Sequence, residues 1–218
     1  LTLGGKMTVY DLTHVIEESM PVYPGTDVPR LSTACSLEKD GFKETLITMF
    51  THTGTHIDCP EHLFQSGEST DKKDISSFFG KGCVLDFSFL KENAVITKKY
   101  LLESEKTINA SDFVILHTGW ARFWNFPEYF GNFPVLDKQA AQYLSQFNLK
   151  GIGLDTISLD PVNHELINHK IILSKHICII ENLNNTEKLI GKEFLFACLP
   201  LKIKNGDGSP IRAAGIVL

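Results

Sequence analysis

Residues 52–62 read His-Thr-Gly-Thr-His-Ile-Asp-Cys-Pro-Glu-His, so three of the chain's eight histidines and one aspartate fall within eleven positions. Imidazole nitrogens joined by a carboxylate suit zinc, manganese or iron(II). A catalytic metal site keeps a position open to water, and three protein ligands leave one. His52, His56 and Asp58 are the candidate set. Their spacing poses a geometric problem. His52, Gly54, His56 and Asp58 share one parity, so on a straight strand all four would face the same side. Extended chain nevertheless covers roughly 13 Å in four residues, whereas zinc lies about 2 Å from each ligand atom. The path must therefore shorten. Gly54 can adopt backbone angles closed to other residues, and Pro60 rules out a helix running through the second half. The expectation is a strand that turns at Gly54 and lays His56 and Asp58 beside His52. His62, just past Pro60, is close enough to act on a water or a leaving group without being a ligand. Cys59 reads as a small buried hydrophobe. Chance clustering of histidines is the plainer alternative, and a glycine and an aspartate at working positions weigh against it.

The surrounding elements must hold this segment in place. "VYDLTHVI" reads as a first strand, and the Pro- and Gly-punctuated stretch from Ser19 to Pro29 as an ordered loop or edge. "ETLITMF" alternates as a strand leading into the motif. "GCVLDFSF", "DFVILHTGW", "KGIGLDT", "ICIIENL", "FLFACLPLKI" and "AAGIVL" read as further strands. "TKKYLLESE", "DKQAAQYLSQFN" and "NHELINHKIILSK" read as helices, the second capped by Asp137. Strands outnumber helices and helices fall between strands, so the expected class is α/β with a mixed sheet and flanking helices.

The chain has 218 residues with 43% hydrophobic and 22% charged residues, which fits one globular domain over residues 1–218. Net charge is -5 with both signs scattered. No basic block appears, so nucleic acid and anionic membranes are not expected partners. No apolar run is long enough to span a bilayer as a helix. Met7 is the expected native start, with residues 1–6 left over from cloning. The five cysteines are widely spaced, odd in number and free of any CxxC, which points to reduced thiols and a cytoplasmic protein.

The motif resembles the H-x-G-T-H-x-D-x-P-x-H signature of the cyclase family of metal-dependent hydrolases, at every fixed position. "DLTHVIEESMPVYPGT" resembles the family's N-terminal segment, and "HKIILSKHICIIENL" its H-[RK]-x-L-L…E-N-L segment. The resemblance implies a compact swivelling β/β/α fold, found as a homodimer or homotetramer. It implies one or two divalent ions, zinc or manganese, with His169 and Glu181 joining Asp58 around a second one. Glu181 ends an apolar run, where a carboxylate is costly to bury without a partner. The implied reaction is hydrolysis of a small aromatic amide by metal-activated water, with His62 moving the proton. The best single expectation is an arylformamidase acting on N-formylkynurenine. The alternatives are an isatin-type cyclic-amide hydrolase and a non-catalytic metal-binding protein. Tyr23, Phe64 and Trp120 are the candidate substrate contacts. Tyr23 offers a ring face where kynurenine formamidases often carry tryptophan, and residues 119–134 hold both tryptophans and four phenylalanines, enough for a pocket wall, a core or an interface. His14, His117, His164 and His176 carry no assigned role, and Asp155 is read as structural.

Overall fold

A computed structural model describes residues 7–162 and 165–218. The hexapeptide before Met7 and His164 lie outside the described residues. Thirteen strands are formed among the described residues: β1 (Thr8–Asp11), β2 (Arg30–Cys35), β3 (Glu44–Thr48), β4 (His56–Asp58), β5 (Phe79–Asp86), β6 (Val95–Ile96), β7 (Phe113–His117), β8 (Val135–Leu136), β9 (Gly151–Leu154), β10 (Cys178–Glu181), β11 (Phe194–Ala197), β12 (Gly208–Pro210) and β13 (Ala214–Val217). The α-helices are α1 (Leu37–Asp40), α2 (Lys98–Leu102), α3 (Glu105–Asn109), α4 (Lys138–Leu144) and α5 (Ile167–Leu173).

Nine strands make one mixed sheet in the order β1-β13-β11-β5-β7-β9-β10-β4-β12. The run β5-β7-β9-β10 is parallel, and every other pairing in this sheet is antiparallel. β7, β9 and β10 are buried at every position, as expected for parallel strands covered on both faces. Their side chains alternate between two cores. Val114, Leu116, Ile152, Leu154 and Ile179 meet α2, α3, α4 and α5 through Leu101, Ile108, Leu144 and Ile172. Phe113, Ile115, Cys178 and Ile180 meet Phe196, Leu189, Leu12 and Ile57 on the other side. The class is thus the α/β mixed sheet expected from the pattern.

Several elements depart from the sequence reading. The "ETLITMF" strand does not run into the motif. β3 stops at Thr48 and pairs with β2 in a separate, exposed two-stranded ribbon. A strand exposed on all five residues gives no burial signal to anchor its register, and β2 had no such signal either. "TKKYLLESE" holds only the short α2, and α3 starts at its last residue, Glu105. The segment 119–134 forms two 3₁₀ turns around a small cluster of Trp120, Tyr129, Phe133 and Ile157. Asp137 does cap α4, accepting from the Ala140 amide at 2.6 Å. All five cysteines are free. Among the described residues no helix is long and apolar enough to cross a membrane.

Candidate metal centre

Gly54 carries the turn that the spacing demanded. Its φ is +65, in the left-handed region, where an L side chain costs about 1–2 kcal/mol. The chain leaves β3, reverses at Gly54 and re-enters the main sheet as β4. Antiparallel register then sets Glu181 opposite His56, and Ile179 opposite Asp58. Directly opposed residues share a face, so His56, Asp58 and Glu181 all point to the helix-covered side. α5 lies over that side with Ile172 and Leu173 in the core, and its inner stripe carries His169 into the same place. Pro60 opens a 3₁₀ turn that ends at His62, whose ring centroid lies 4.0 Å from that of His52.

The three imidazoles divide into outer and inner nitrogens. His56 donates from Nδ1 to the Gly54 carbonyl at 2.8 Å. His169 donates from Nδ1 to Asp160 at 2.7 Å. His52 donates from Nε2 to Asp207 at 2.9 Å. Each outer partner is a carbonyl or carboxylate and can only accept, so a proton sits on each outer nitrogen while the other nitrogen of the ring faces inward. The inner atoms converge on two carboxylates. His52 Nδ1 lies 2.6 Å and His56 Nε2 3.2 Å from Asp58 Oδ1. His169 Nε2 lies 3.1 Å from Glu181 Oε1 and 3.7 Å from Asp58 Oδ2. His56 Nε2 lies 3.5 Å from Glu181 Oε2. Asp58 is thus common to two groups, one with His52 and His56 and one with His169 and Glu181, each with donor atoms within 4.8 Å of one another.

The electrostatics follow from two nearly inaccessible carboxylates side by side. Burial and the neighbouring Asp58 push the Glu181 carboxyl up. Burial also opposes ionisation of Asp58, but the His52 and His56 rings outweigh it and hold its carboxyl well down. Burial works against charge on His52 and His169 too. Asp58 and Asp207 raise His52 to about 10, and Asp160 and Glu181 raise His169 to about 10. His62 is lowered, chiefly by burial. Asp207 is held below the carboxylate range by the hydrogen bond from His52. Two buried negative charges therefore draw positive charge onto the imidazoles around them. Nitrogen and carboxylate donors facing one point, with their outer atoms already satisfied, fit a divalent cation of the zinc or manganese kind.

These groups open into a cavity of about 450 Å³. Its walls include Val22, Tyr23, Phe50, Ile157 and Leu166, with His62 and Asp207 at the site. Tyr23 lines it; Phe64 and Trp120 do not. Phe64 packs against the helix-side core, and Trp120 is buried in the 119–134 cluster with its indole nitrogen bonded to the Tyr129 carbonyl at 3.1 Å. The aromatic density of that segment is spent on its own packing. Cys59 is buried on the opposite face of β4, 3.9 Å from Cys178. Asp155 accepts from the Thr118 amide and hydroxyl and the Trp120 amide, so it fixes a turn. His14 stacks on Trp124 at 3.9 Å, His117 bonds Thr186 at 2.7 Å, and His176 is exposed, with its carbonyl accepting from Lys73.

Three residues of the site escaped the sequence reading: Asp160, Asn182 and Asp207. Asn182 sits at φ +57 and ties Gly54 to the core, donating to the Gly54 carbonyl at 2.8 Å and accepting from the Tyr129 hydroxyl at 2.6 Å. Asp207 lies in "NGDGSP", a composition that reads only as a turn.

The Cyclase family model matches residues 10–161. Kynurenine formamidase of Geobacillus thermodenitrificans is 32% identical over 210 residues, covering 94% of this chain and 95% of that protein. An uncharacterized protein of Methanocaldococcus jannaschii is 33% identical over 214 residues, covering 97% of this chain and 100% of that protein. Among solved structures, isatin hydrolase A of Ralstonia solanacearum superposes with a TM-score of 0.88 at 22% identity, over 97% of this chain and 92% of that one. A predicted metal-dependent hydrolase of Bacillus stearothermophilus superposes with a TM-score of 0.81 at 27% identity, over 97% of this chain and 99% of that one. With its signature histidines and aspartate gathered at one point, and with a family match spanning most of its length, this chain belongs to the cyclase family of metal-dependent hydrolases.

Proposed function

We propose that this protein is a divalent-metal-dependent amide hydrolase acting on a small aromatic amide, with arylformamidase activity on N-formylkynurenine as the leading specific reading. The observation that carries the reaction class is the convergence of three inner nitrogens and the Asp58 and Glu181 carboxylates at the floor of a cavity with His62 beside them. The kynurenine formamidase relative at 32% identity supports the specific reading.

His52, His56 and Asp58 would hold one ion, and Asp58, His169 and Glu181 a second. A divalent cation there, zinc or manganese, supplies Lewis-acid polarisation of a carbonyl and acidifies a water. The chain's own groups do the rest. The apolar walls shield the reacting amide from bulk solvent. The carbonyl carbon gains the oxygen of water, and the carbon–nitrogen bond breaks. His62, held largely neutral by burial, accepts the proton that water gives up and delivers it to the departing nitrogen. Formate and an aromatic amine are the products when the substrate is an N-formyl arylamine.

A cyclic amide is the second reading. The described residues lining the cavity include no lysine or arginine, so an amino-acid carboxylate would find no ammonium or guanidinium partner there. We further propose a cytoplasmic protein that assembles as a homodimer or homotetramer. The deciding experiment is metal analysis of the pure protein, followed by turnover of N-formylkynurenine and of isatin with zinc and with manganese. Metal-dependent release of formate supports the leading reading. Metal-dependent opening of isatin alone replaces it with the second, and no hydrolysis of either, in protein that carries its metal, refutes both.

A further inference from the structure

The segment Asp207–Gly208 is fitted to His52 from three directions. The Asp207 carboxylate accepts from His52 Nε2 at 2.9 Å through Oδ2. Its other oxygen is fixed by the Thr51 hydroxyl at 2.9 Å. The Asp207 carbonyl accepts from the Cys59 amide at 2.9 Å, which ties this loop to the residue directly after Asp58. Gly208 then leaves room for the ring, because a Cβ there would stand 2.6 Å from His52 Cε1. The same Oδ2 lies 3.6 Å from His62 Nδ1. One carboxylate therefore touches both a metal-facing imidazole and the proton-moving one, from the side away from Asp58.

We propose that Asp207 is a positioning residue: it holds His52 with Nδ1 turned inward and keeps His62 against it. This rests on the reading of the site as a metal centre. The competing account is an ordinary rim ion pair, since the Asp207 side chain is 40% exposed. Rim pairs contribute about 0–1 kcal/mol and nothing to a neighbouring ligand's geometry. A carboxylate that orients a ligating imidazole is worth about 10–100-fold in metal affinity or activity. Its anchoring also separates it from a rim pair, because Thr51 and the Cys59 amide fix the carboxylate and its backbone independently of His52.

The test uses the full chain with zinc or cobalt(II) alone, and reads metal affinity by chelator competition together with the visible spectrum of the cobalt form. Asp207→Ala should weaken zinc binding about 10–100-fold and alter the cobalt bands, while the melting temperature of the metal-free protein moves little. Asp207→Asn, which keeps an acceptor oxygen, should recover part of the loss. Thr51→Val, which frees only Oδ1, should show a smaller loss in the same direction, and it decides the matter should Asp207→Ala fail to fold. Wild-type affinity and an unchanged cobalt spectrum in these variants overturn the positioning role. Failure of the unaltered protein to bind either ion overturns the metal reading instead.

Discussion

Gly208→Ala isolates the fit between β12 and His52. Gly208 is not among the left-handed glycines, so its backbone suits any residue. A glycine within a strand is ordinarily worse than alanine by roughly 0.5–1 kcal/mol, and the bare expectation is a small gain in stability. The surroundings reverse that sign. The new methyl would stand 2.6 Å from His52 Cε1, 2.9 Å from His52 Nε2 and 2.7 Å from the Ile57 carbonyl. The last is backbone inside β4 and cannot swing away, so the ring must turn and the His52–Asp207 hydrogen bond must stretch. Overpacking of this kind costs about 1–3 kcal/mol. Set against the strand preference, the net loss is about 1–2 kcal/mol. In a chain of this size that lowers the melting temperature by about 2–8 °C. Because His52 Nδ1 swings with the ring, zinc affinity should fall by about 10-fold or more. Differential scanning fluorimetry of the metal-free protein and chelator competition measure the two effects. A melting temperature at or above the original, with unchanged zinc affinity, refutes the close approach of Gly208 to His52.

Gly54→Ala should lower stability by about 1–2 kcal/mol for the left-handed φ alone, with crowding of the Met20 methyl 3.0 Å away as a further cost; urea unfolding checks it. His62→Ala should leave metal content intact, measured by atomic absorption, and cut turnover about 10²–10⁴-fold. His14 is held neutral by burial, its value lowered from 6.5 to about 4. The unfolded chain binds that proton first as pH falls, so stability present above pH 6.5 is lost progressively toward pH 4, by at most about 3 kcal/mol. His14→Phe, which keeps a ring on Trp124, should flatten that part of the curve in denaturant titrations at pH 7 and pH 4.5.

The sequence by itself determined the donor types of the candidate centre and the place of its bend. Donor types at residues 52, 56 and 58 cannot meet one ion along an extended chain, so a glycine among them must fold the path, and Gly54 does so at φ +65. Alternating and continuous apolar runs likewise revealed the buried strands β7, β9 and β10, because burial leaves a periodic trace. Where burial is absent that trace vanishes: the exposed β3 reads as part of the path into the site, and β2 gives no strand signal. Tertiary structure alone decided the outer partners. Asp160, Asn182 and Asp207 lie 9, 128 and 155 residues from the His169 ring, the Gly54 carbonyl and the His52 ring they attend. A single hydrogen bond over such a separation imposes no pattern on the residues between. The same holds for the aromatic run at 119–134, whose composition suits a pocket wall and a private core equally. Only the packing of Trp120, Tyr129 and Phe133 against Ile157 shows that the rings face each other.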